Sequence, residues 1–277
     1  MARFLRRALE GVLDADELQM AVSAFDQMGD IAVIRIPESL YDRRHEIGEA
    51  LLSSIKVVRG VFCQMSDVSG EYRTRILERI AGEGGTVTEY RENGCRFVID
   101  VERVFFTPRL STERARVAGL VEPGDIVLNM FGGAGPYSIQ AARRTRCTVY
   151  SIDANPEATA LCARNAGLNR LAGEVVAITG DAMGSRALVP CECNRTIMPL
   201  PERSAEFAAA AVRATKDGGT IHYYSHIHAD RKQDAAGLAG VEAVGAIPCS
   251  SEVLRTRLVR AVGPRYYQTV ADVRISK

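Results

Sequence analysis

Residues 125–139, DIVLNMFGGAGPYSI, constrain the fold of this chain more than any other stretch. The apolar, β-branched run Ile126, Val127, Leu128 enters a loop containing Gly132, Gly133 and Gly135, and an Ala-rich segment leaves it near Tyr137. That order reads as a buried strand, a tight turn and a helix. Glycines in such a turn permit positive φ and close approach of a ligand to the main chain, and the helix start presents N–H groups with no intrahelical partner. Nucleotide-binding sheets of several chemistries share this unit, so alone it is a weak signal.

The next elements sharpen it. Residues 149–156 read as a second strand ending in Asp153, about twenty residues after the glycines, where an acid accepts hydrogen bonds from both ribose hydroxyls. The ligand is therefore expected to be a nucleoside. Residues 175–182 read as a third strand ending in Asp181, and residues 195–201 as a fourth ending in the proline pair Pro199 and Pro201. Successive strands with polar groups at their carboxyl ends resemble the class I S-adenosylmethionine methyltransferases more than the dehydrogenases.

From residue 126 the pattern alternates: strand 126–130, helix 137–144, strand 148–152, helix 156–167, strand 175–179, strand 195–198, helix 202–215, strand 219–224. This is α/β, a Rossmann-like sheet. Residues 252–260 and 267–275, split by Gly263, Pro264 and Arg265, read as an antiparallel pair on its edge. Ahead of it, residues 1–103 read as a smaller α+β domain, with 104–277 forming the cofactor domain. In the first domain, apolar spacing predicts a helix through Phe4, Leu5, Ala8, Leu9 and Val12, then a second helix from Leu18 to Phe25. Strands are expected at 31–36 and 57–63, with a helix over 40–55 between them. Residues 71–80 fit strand or helix, with strand favoured, and Glu92, Asn93, Gly94 mark a hairpin between 86–91 and 95–100.

Composition narrows the function. Of 277 residues, 47% are hydrophobic and 25% charged, an ordinary globular balance that supports a sizeable core. There is no apolar run of eighteen residues and no secretory signal pattern at the start, so a cytoplasmic protein without membrane contact is expected. Seven scattered cysteines lack the paired spacing of a zinc site or disulfide framework, and no metal is expected. Residues 1–110 carry 15 basic against 18 acidic side chains, and the remainder 20 against 16. Any RNA contact must then come from local patches such as Arg73, Arg75 and Arg79 or Arg109, Arg114 and Arg116, since there is no basic tail.

Several motifs in combination resemble one family, the archaeal and eukaryotic tRNA (guanine(37)-N1)-methyltransferases. They are residues 29–37 (GDIAVIRIP), 72–75 (YRTR), Asn93-Gly94, 108–114 (PRLSTER), 130–136 (MFGGAGP), 198–201 (MPLP) and 219–224 (GTIHYY), so the resemblance spans about 20–277. Many members carry a further small N-terminal domain that reads the tRNA elbow, and the sequence reads as lacking it. Asn129 stands where members often have Asp, removing a charge near the cofactor's amino group. Pro199 stands where many have Asn, resembling a subgroup that also methylates a tricyclic wyosine precursor at position 37.

The resemblance implies S-adenosylmethionine as cofactor, tRNA as partner and a monomer. It assigns Glu113 as the general base that removes the N1 proton and Arg73 as the stabiliser of charge on O6. Arg75, Arg109, Pro199 and Pro201 fall to the substrate. Asn129, Met130, Phe131, Gly132, Gly133, Gly135, Asp153, Ala154, Asp181, Ala182 and Pro199 fall to the cofactor. Plainer readings stand beside these: Glu113 as a first-turn helix acid next to a capping Ser111 or Thr112, Arg73 and Arg75 as solvated charge, Asp153 and Asp181 as caps at strand ends. Three other functions compete. A wyosine-pathway aminocarboxypropyl transferase would use the same cofactor in another pose. A nicotinamide oxidoreductase has no hydride-site motif here, and a non-catalytic RNA-binding protein would tolerate loss of Glu113.

Overall fold

The computed structural model describes residues 2–21, 24–67, 70 and 72–277. Contacts divide the chain into two units, Met1–Arg109 and Leu110–Lys277.

In the first unit, α1 (Ala2–Leu9) is followed by α2 (Ala15–Met20), which opens on a capping box. Asp14 accepts from the Asp16 and Glu17 N–H groups, and the Glu17 carboxylate returns to the Asp14 N–H. β1 (Phe25–Met28), β2 (Ile31–Ile34), β3 (Gly60–Gln64) and β4 (Leu77–Gly82) form a sheet in that order, with α3 (Arg44–Ser54) crossing between the parallel strands β2 and β3. Leu5, Leu9, Ile47 and Leu51 pack from the helices onto Ile34, Val61 and Ile80. β5 (Val87–Glu92) and β6 (Cys95–Asp100) form a separate hairpin. Its turn residues Asn93 (φ 48°) and Gly94 (φ 75°) both take positive φ, as a type I′ turn requires.

Two local expectations fail here. The second helix stops at Met20, and Phe25–Met28 pair with β2 across the Gly29-Asp30 turn. Four residues are too few to show a strand period, and pairing with an all-buried β2 decides their state. Strand structure begins at Leu77, later than the sequence suggested. Glu71 of that stretch lies outside the described residues.

The second unit contains α4 (Ser111–Ala118), β7 (Ile126–Asn129), α5 (Pro136–Arg144), β8 (Thr148–Asp153), α6 (Pro156–Leu168), β9 (Glu174–Thr179), α7 (Ser185–Leu188), β10 (Cys193–Met198), α8 (Ser204–Ala214), β11 (Thr215–His228), α9 (Ala235–Ala246), β12 (Ser250–Gly263) and β13 (Tyr266–Ser276). The sheet order is β12-β13-β11-β10-β7-β8-β9. β7 to β11 pair in parallel, and β13 runs antiparallel to both β11 and β12. Alternate residues of β7 serve opposite faces: Leu128 packs in the cluster with Phe207 and Ala211 of α8, and Val127 in that with Val117 of α4 and Ala141 of α5. Both faces are therefore covered, which explains the near-continuous apolar runs of the central strands.

β8 and β9 lie on one side of β7 and β10 on the other. The chain thus reverses its winding at β7, the kind of switch point at which open α/β sheets bind ligands beyond the carboxyl ends of their strands. Every candidate cofactor residue lies in β7, β8 or β10 or in the segments that follow β7, β8, β9 and β10.

Candidate active site

At the end of β7, Asn129 is fully buried. Its Nδ2 donates to Ser138 Oγ (3.1 Å), and its Oδ1 accepts from the Phe131 N–H (3.4 Å). The neutral amide is used as an internal tie between strand, loop and helix. Met130 N–H donates to the Ile197 carbonyl (3.1 Å) and Gly132 N–H to the Ile152 carbonyl (2.7 Å), so the loop is pinned to strands on both sides. Phe131 stands edge-on to Phe207, centroids 4.9 Å apart.

Gly135 occupies the N-cap position of α5 at φ 87°, with Pro136 at the first helical position where no N–H is needed. A Cβ on Gly135 would fall 2.7 Å from Cys162 Sγ and 2.9 Å from Ile139 Cδ1. Gly135→Ala is therefore expected to cost about 1–3 kcal/mol through positive φ and crowding. Chemical denaturation with an unchanged midpoint would contradict this.

Asp153 ends β8 with Oδ2 on the Gly133 N–H (2.7 Å) and Oδ1 on the Asn155 N–H (2.9 Å). Burial raises its pKa despite both donors. An ionised carboxylate offers about four acceptor sites, so two remain for further donors. A ribose diol supplies such donors, and the residues present therefore fit a nucleoside. Ala154 beside it is half-buried. Exposed Asp181 caps the turn after β9, taking the Met183 N–H on Oδ1 (2.9 Å), while Ala182 is buried beneath it. The capping reading of Asp181 is thus true as local structure and compatible with an adenine contact through Oδ2.

Pro199 and Pro201 follow β10 and are half-buried. Between them the Leu200 carbonyl is tied back by the Arg203 N–H (3.1 Å) and the Ser204 hydroxyl (3.0 Å). The prolines fix φ on either side of a peptide anchored to α8.

Glu113 lies in the first turn of α4, 3% exposed. The helix starts at Ser111, with Leu110 in the cap position and making no side-chain cap bond, so the cap falls one residue ahead of the Ser111 or Thr112 expected. The Glu113 carboxylate accepts from Arg116 Nη2 (2.7 Å) and Nε (3.0 Å to Oε2), and from the Tyr224 hydroxyl (2.7 Å). The Tyr137 hydroxyl donates in turn to Tyr224 Oη (3.2 Å). Burial holds both phenols above their usual range, so they remain donors. In the β10–β11 register Tyr223 is level with Met198. Tyr224, whose hydroxyl holds the Glu113 carboxylate, therefore lies on β11 level with the start of the proline loop.

Behind Glu113 runs a buried polar chain that sequence reasoning missed. Arg116 also donates to Asp272 through Nη1 (2.6 Å) and Nη2 (3.1 Å). His222 Nδ1 donates to Asp272 Oδ1 (2.5 Å), and its Nε2 accepts from Arg195 Nη1 (3.0 Å). Burial pushes the His222 pKa down, overriding the pull of Asp272, and a neutral imidazole protonated on Nδ1 satisfies both bonds. Burial opposes the charge of Asp272 too, but the His222 and Arg116 hydrogen bonds hold its pKa below the usual carboxylate range. The readable signal was a His and an Asp inside otherwise apolar strands. Among the described residues no His, Cys, Asp and Glu cluster could hold a metal.

The candidate arginines of the first unit have local roles. Arg73 takes φ 54°, unusual for a residue with a Cβ, and lays its guanidinium over Phe105 at 4.6 Å. Strain of this kind collects at functional positions. Arg75 donates to the Val101 carbonyl (3.2 Å) and Gln64 (3.4 Å), and Arg109 pairs with Asp26 (2.8 Å).

Comparison with known proteins places these features. Residues 88–239 match the TRM5/TYW2 methyltransferase domain and residues 5–86 the TYW2 N-terminal domain. A tRNA (guanine(37)-N(1))-methyltransferase Trm5b of Pyrococcus abyssi is 39% identical, covering 92% of this chain and 75% of that protein. The tRNA 4-demethylwyosine(37)-methyltransferase Taw21 of Saccharolobus solfataricus is 35% identical over 89% of this chain and 92% of its own length. The structure of an aTrm5 in complex with tRNALeu superposes with a TM-score of 0.85 at 33% identity, covering 99% of this chain and 78% of that one.

Proposed function

The chain belongs to the TRM5/TYW2 methyltransferase family, and we propose that it methylates N1 of guanosine 37 in tRNA, using S-adenosylmethionine. The observation that carries this reading is a buried carboxylate, Glu113, held by Tyr224, which lies on β11 level with the start of the proline loop, in the same unit as a β7 loop and β8 acid that fit a nucleoside. Bound at these strand ends, S-adenosylmethionine supplies an electrophilic sulfonium methyl.

The chain's own groups do the rest. Asp153 takes the ribose hydroxyls, Asp181 and Ala182 flank the adenine, and residues Asn129 to Gly135 with Pro199 wall the remainder. Glu113 accepts the N1 proton as the methyl group arrives, which frees the nitrogen lone pair. Arg73 is assigned to the charge that develops on O6. Arg75 and Arg109 are assigned to tRNA phosphates; Arg109 reaches them by exchanging Asp26 for a phosphate. Pro199 and Pro201 aim the peptide between them at the target base. Methylation of a tricyclic wyosine precursor at position 37 is a second activity of the same site, favoured by Pro199 and by the likeness to Taw21. The protein is proposed to act as a cytoplasmic monomer. Separately, among the described residues no helix is long and apolar enough to cross a membrane.

The test is incubation with labelled methyl donor and unmodified tRNA transcript, followed by digestion to nucleosides. The expected product is 1-methylguanosine. An aminocarboxypropyl adduct, or no modification, would overturn the reading. Asp153→Ala is expected to weaken cofactor binding by about 1–3 kcal/mol, the range for losing a charge-assisted acceptor. Calorimetry giving wild-type affinity would remove Asp153 from the site, and tight NADH binding by the wild type would remove the methyltransferase assignment.

A further inference from the structure

We infer that Asp272 and Arg257 are opposed positioning residues that set how readily Glu113 takes up a proton. The inference rests on the reading of Glu113 as the base and deepens it.

Arg116 is shared. Its Nη2 lies 2.7 Å from Glu113 Oε1 and 3.1 Å from Asp272 Oδ1, and its Nη1 lies 2.6 Å from Asp272 Oδ2. One guanidinium thus divides its charge between two carboxylates inside the protein. Asp272 thus competes with Glu113 for the charge of Arg116. His222 fixes Asp272 in this competition by donating to it from a fully buried ring. It can do so as a neutral group, because Arg195 occupies its other nitrogen.

Arg257 on β12 acts in the other direction. Its Nη1 lies 3.9 Å from Glu113 Oε2, beyond hydrogen-bond distance, and its side chain is 39% exposed. At that range it favours the charged carboxylate without taking a lone pair from it. Charges on four elements thus bear on Glu113: Arg116 of its own helix, Asp272 on β13, Arg257 on β12, and Arg195 on β10 through His222. Arg114, also buried on α4, adds a further positive charge, and the Tyr224 and Tyr137 hydroxyls complete the surroundings. Neither Asp272 nor Arg257 is assigned contact with the reacting atoms. A weak base remains ionised at low pH but transfers protons poorly, and a strong one does the reverse, so the balance fixes both the working pH range and the maximal rate.

The experiment measures single-turnover methylation of unmodified tRNA transcript from pH 5 to pH 9, with enzyme and S-adenosylmethionine in excess, for wild type, Asp272→Asn, Arg257→Gln and Glu113→Gln. In Asp272→Asn the competing negative charge is removed and Glu113 is left as the carboxylate paired with Arg116. The acid limb of the profile should move down by about one pH unit, and the plateau should fall several-fold. In Arg257→Gln the limb should move up, by roughly half a unit given solvent screening at an exposed guanidinium. Opposite displacements support the inference. Limbs at the wild-type position in both variants, with Glu113→Gln slowed and its limb lost, overturn the inference and leave the base assignment intact. A Glu113→Gln variant that keeps the wild-type limb removes the base assignment and the inference with it. A purely structural role for Asp272 lowers the thermal midpoint without displacing the limb. If Asp272→Asn does not fold, Arg257→Gln at the surface decides alone.

Discussion

A transcript carrying adenosine at position 37 is expected to be methylated about 10⁴-fold more slowly than its guanosine counterpart, or worse. Guanine offers a donor at N1 and an acceptor at O6, and adenine offers an acceptor and an amino donor in the same places. The Glu113 carboxylate, which already accepts from Arg116 and Tyr224, has acceptor capacity left for a further donor such as the N1 proton and nothing to offer a second acceptor. Adenine N1 has no proton to give, and a guanidinium assigned to O6 would face an amino group. Sites built on such hydrogen bonds reject the wrong partner by about 10⁴–10⁵, because their own polar groups are left unpaired. Inosine, which keeps N1–H and O6, should remain a substrate and separates recognition of this edge from recognition of the 2-amino group. Single-turnover rates on the three transcripts check this, and similar rates for guanosine and adenosine would contradict the assigned recognition.

What could be read from the sequence follows from which interactions are local. The β7 loop, Asp153 and Asp181 were legible because a strand, its turn and the acid at the next strand end are fixed by spacing within one βαβ unit. The β5–β6 hairpin was legible from Asn93-Gly94, whose turn chemistry permits few alternatives. By contrast, α9 gave no signal. Its sequence AAGLAGVEAVGA has three glycines and is apolar all round, with Leu238, Val241 and Val244 exposed, so it lacks the amphipathic period that betrays a helix. β1 was lost to a short sequence whose state is set by its partner strand. The chain from Glu113 through Arg116, Asp272 and His222 to Arg195 was invisible for a related reason. Arg116 and Asp272 are 156 positions apart, and only the register of β11 with β13, which sets His222 opposite Asp272, brings the acid to the imidazole. A buried polar residue in an apolar strand announces that it has a partner, but not which one.

The same network sharpens what Glu113→Gln should do. As the base, Glu113 is irreplaceable by an amide, and the chemical step is expected to slow by roughly 10²–10⁴. At about 1.36 kcal/mol for each factor of ten, that is about 2.7–5.4 kcal/mol of lost transition-state stabilisation. Tyr224 can still donate to a glutamine carbonyl, and Arg116 keeps both bonds to Asp272, so tRNA and cofactor binding should persist. Wild-type rates should rise with pH as N1 is deprotonated more readily, and the variant, left with hydroxide or spontaneous loss of the N1 proton, should depend on pH more steeply. A purely structural Glu113 predicts a different pair of results. The first-turn carboxylate caps nothing, so its structural worth is its share of the Arg116 pair. Losing one partner of a buried ion pair costs about 3–5 kcal/mol when the other is stranded. Here it should cost less, because Asp272 still compensates Arg116. Thermal midpoint and single-turnover rate measured on one preparation separate the two readings: a lowered midpoint with a wild-type rate retires the catalytic role, and a collapsed rate with a modestly changed midpoint assigns Glu113 the proton.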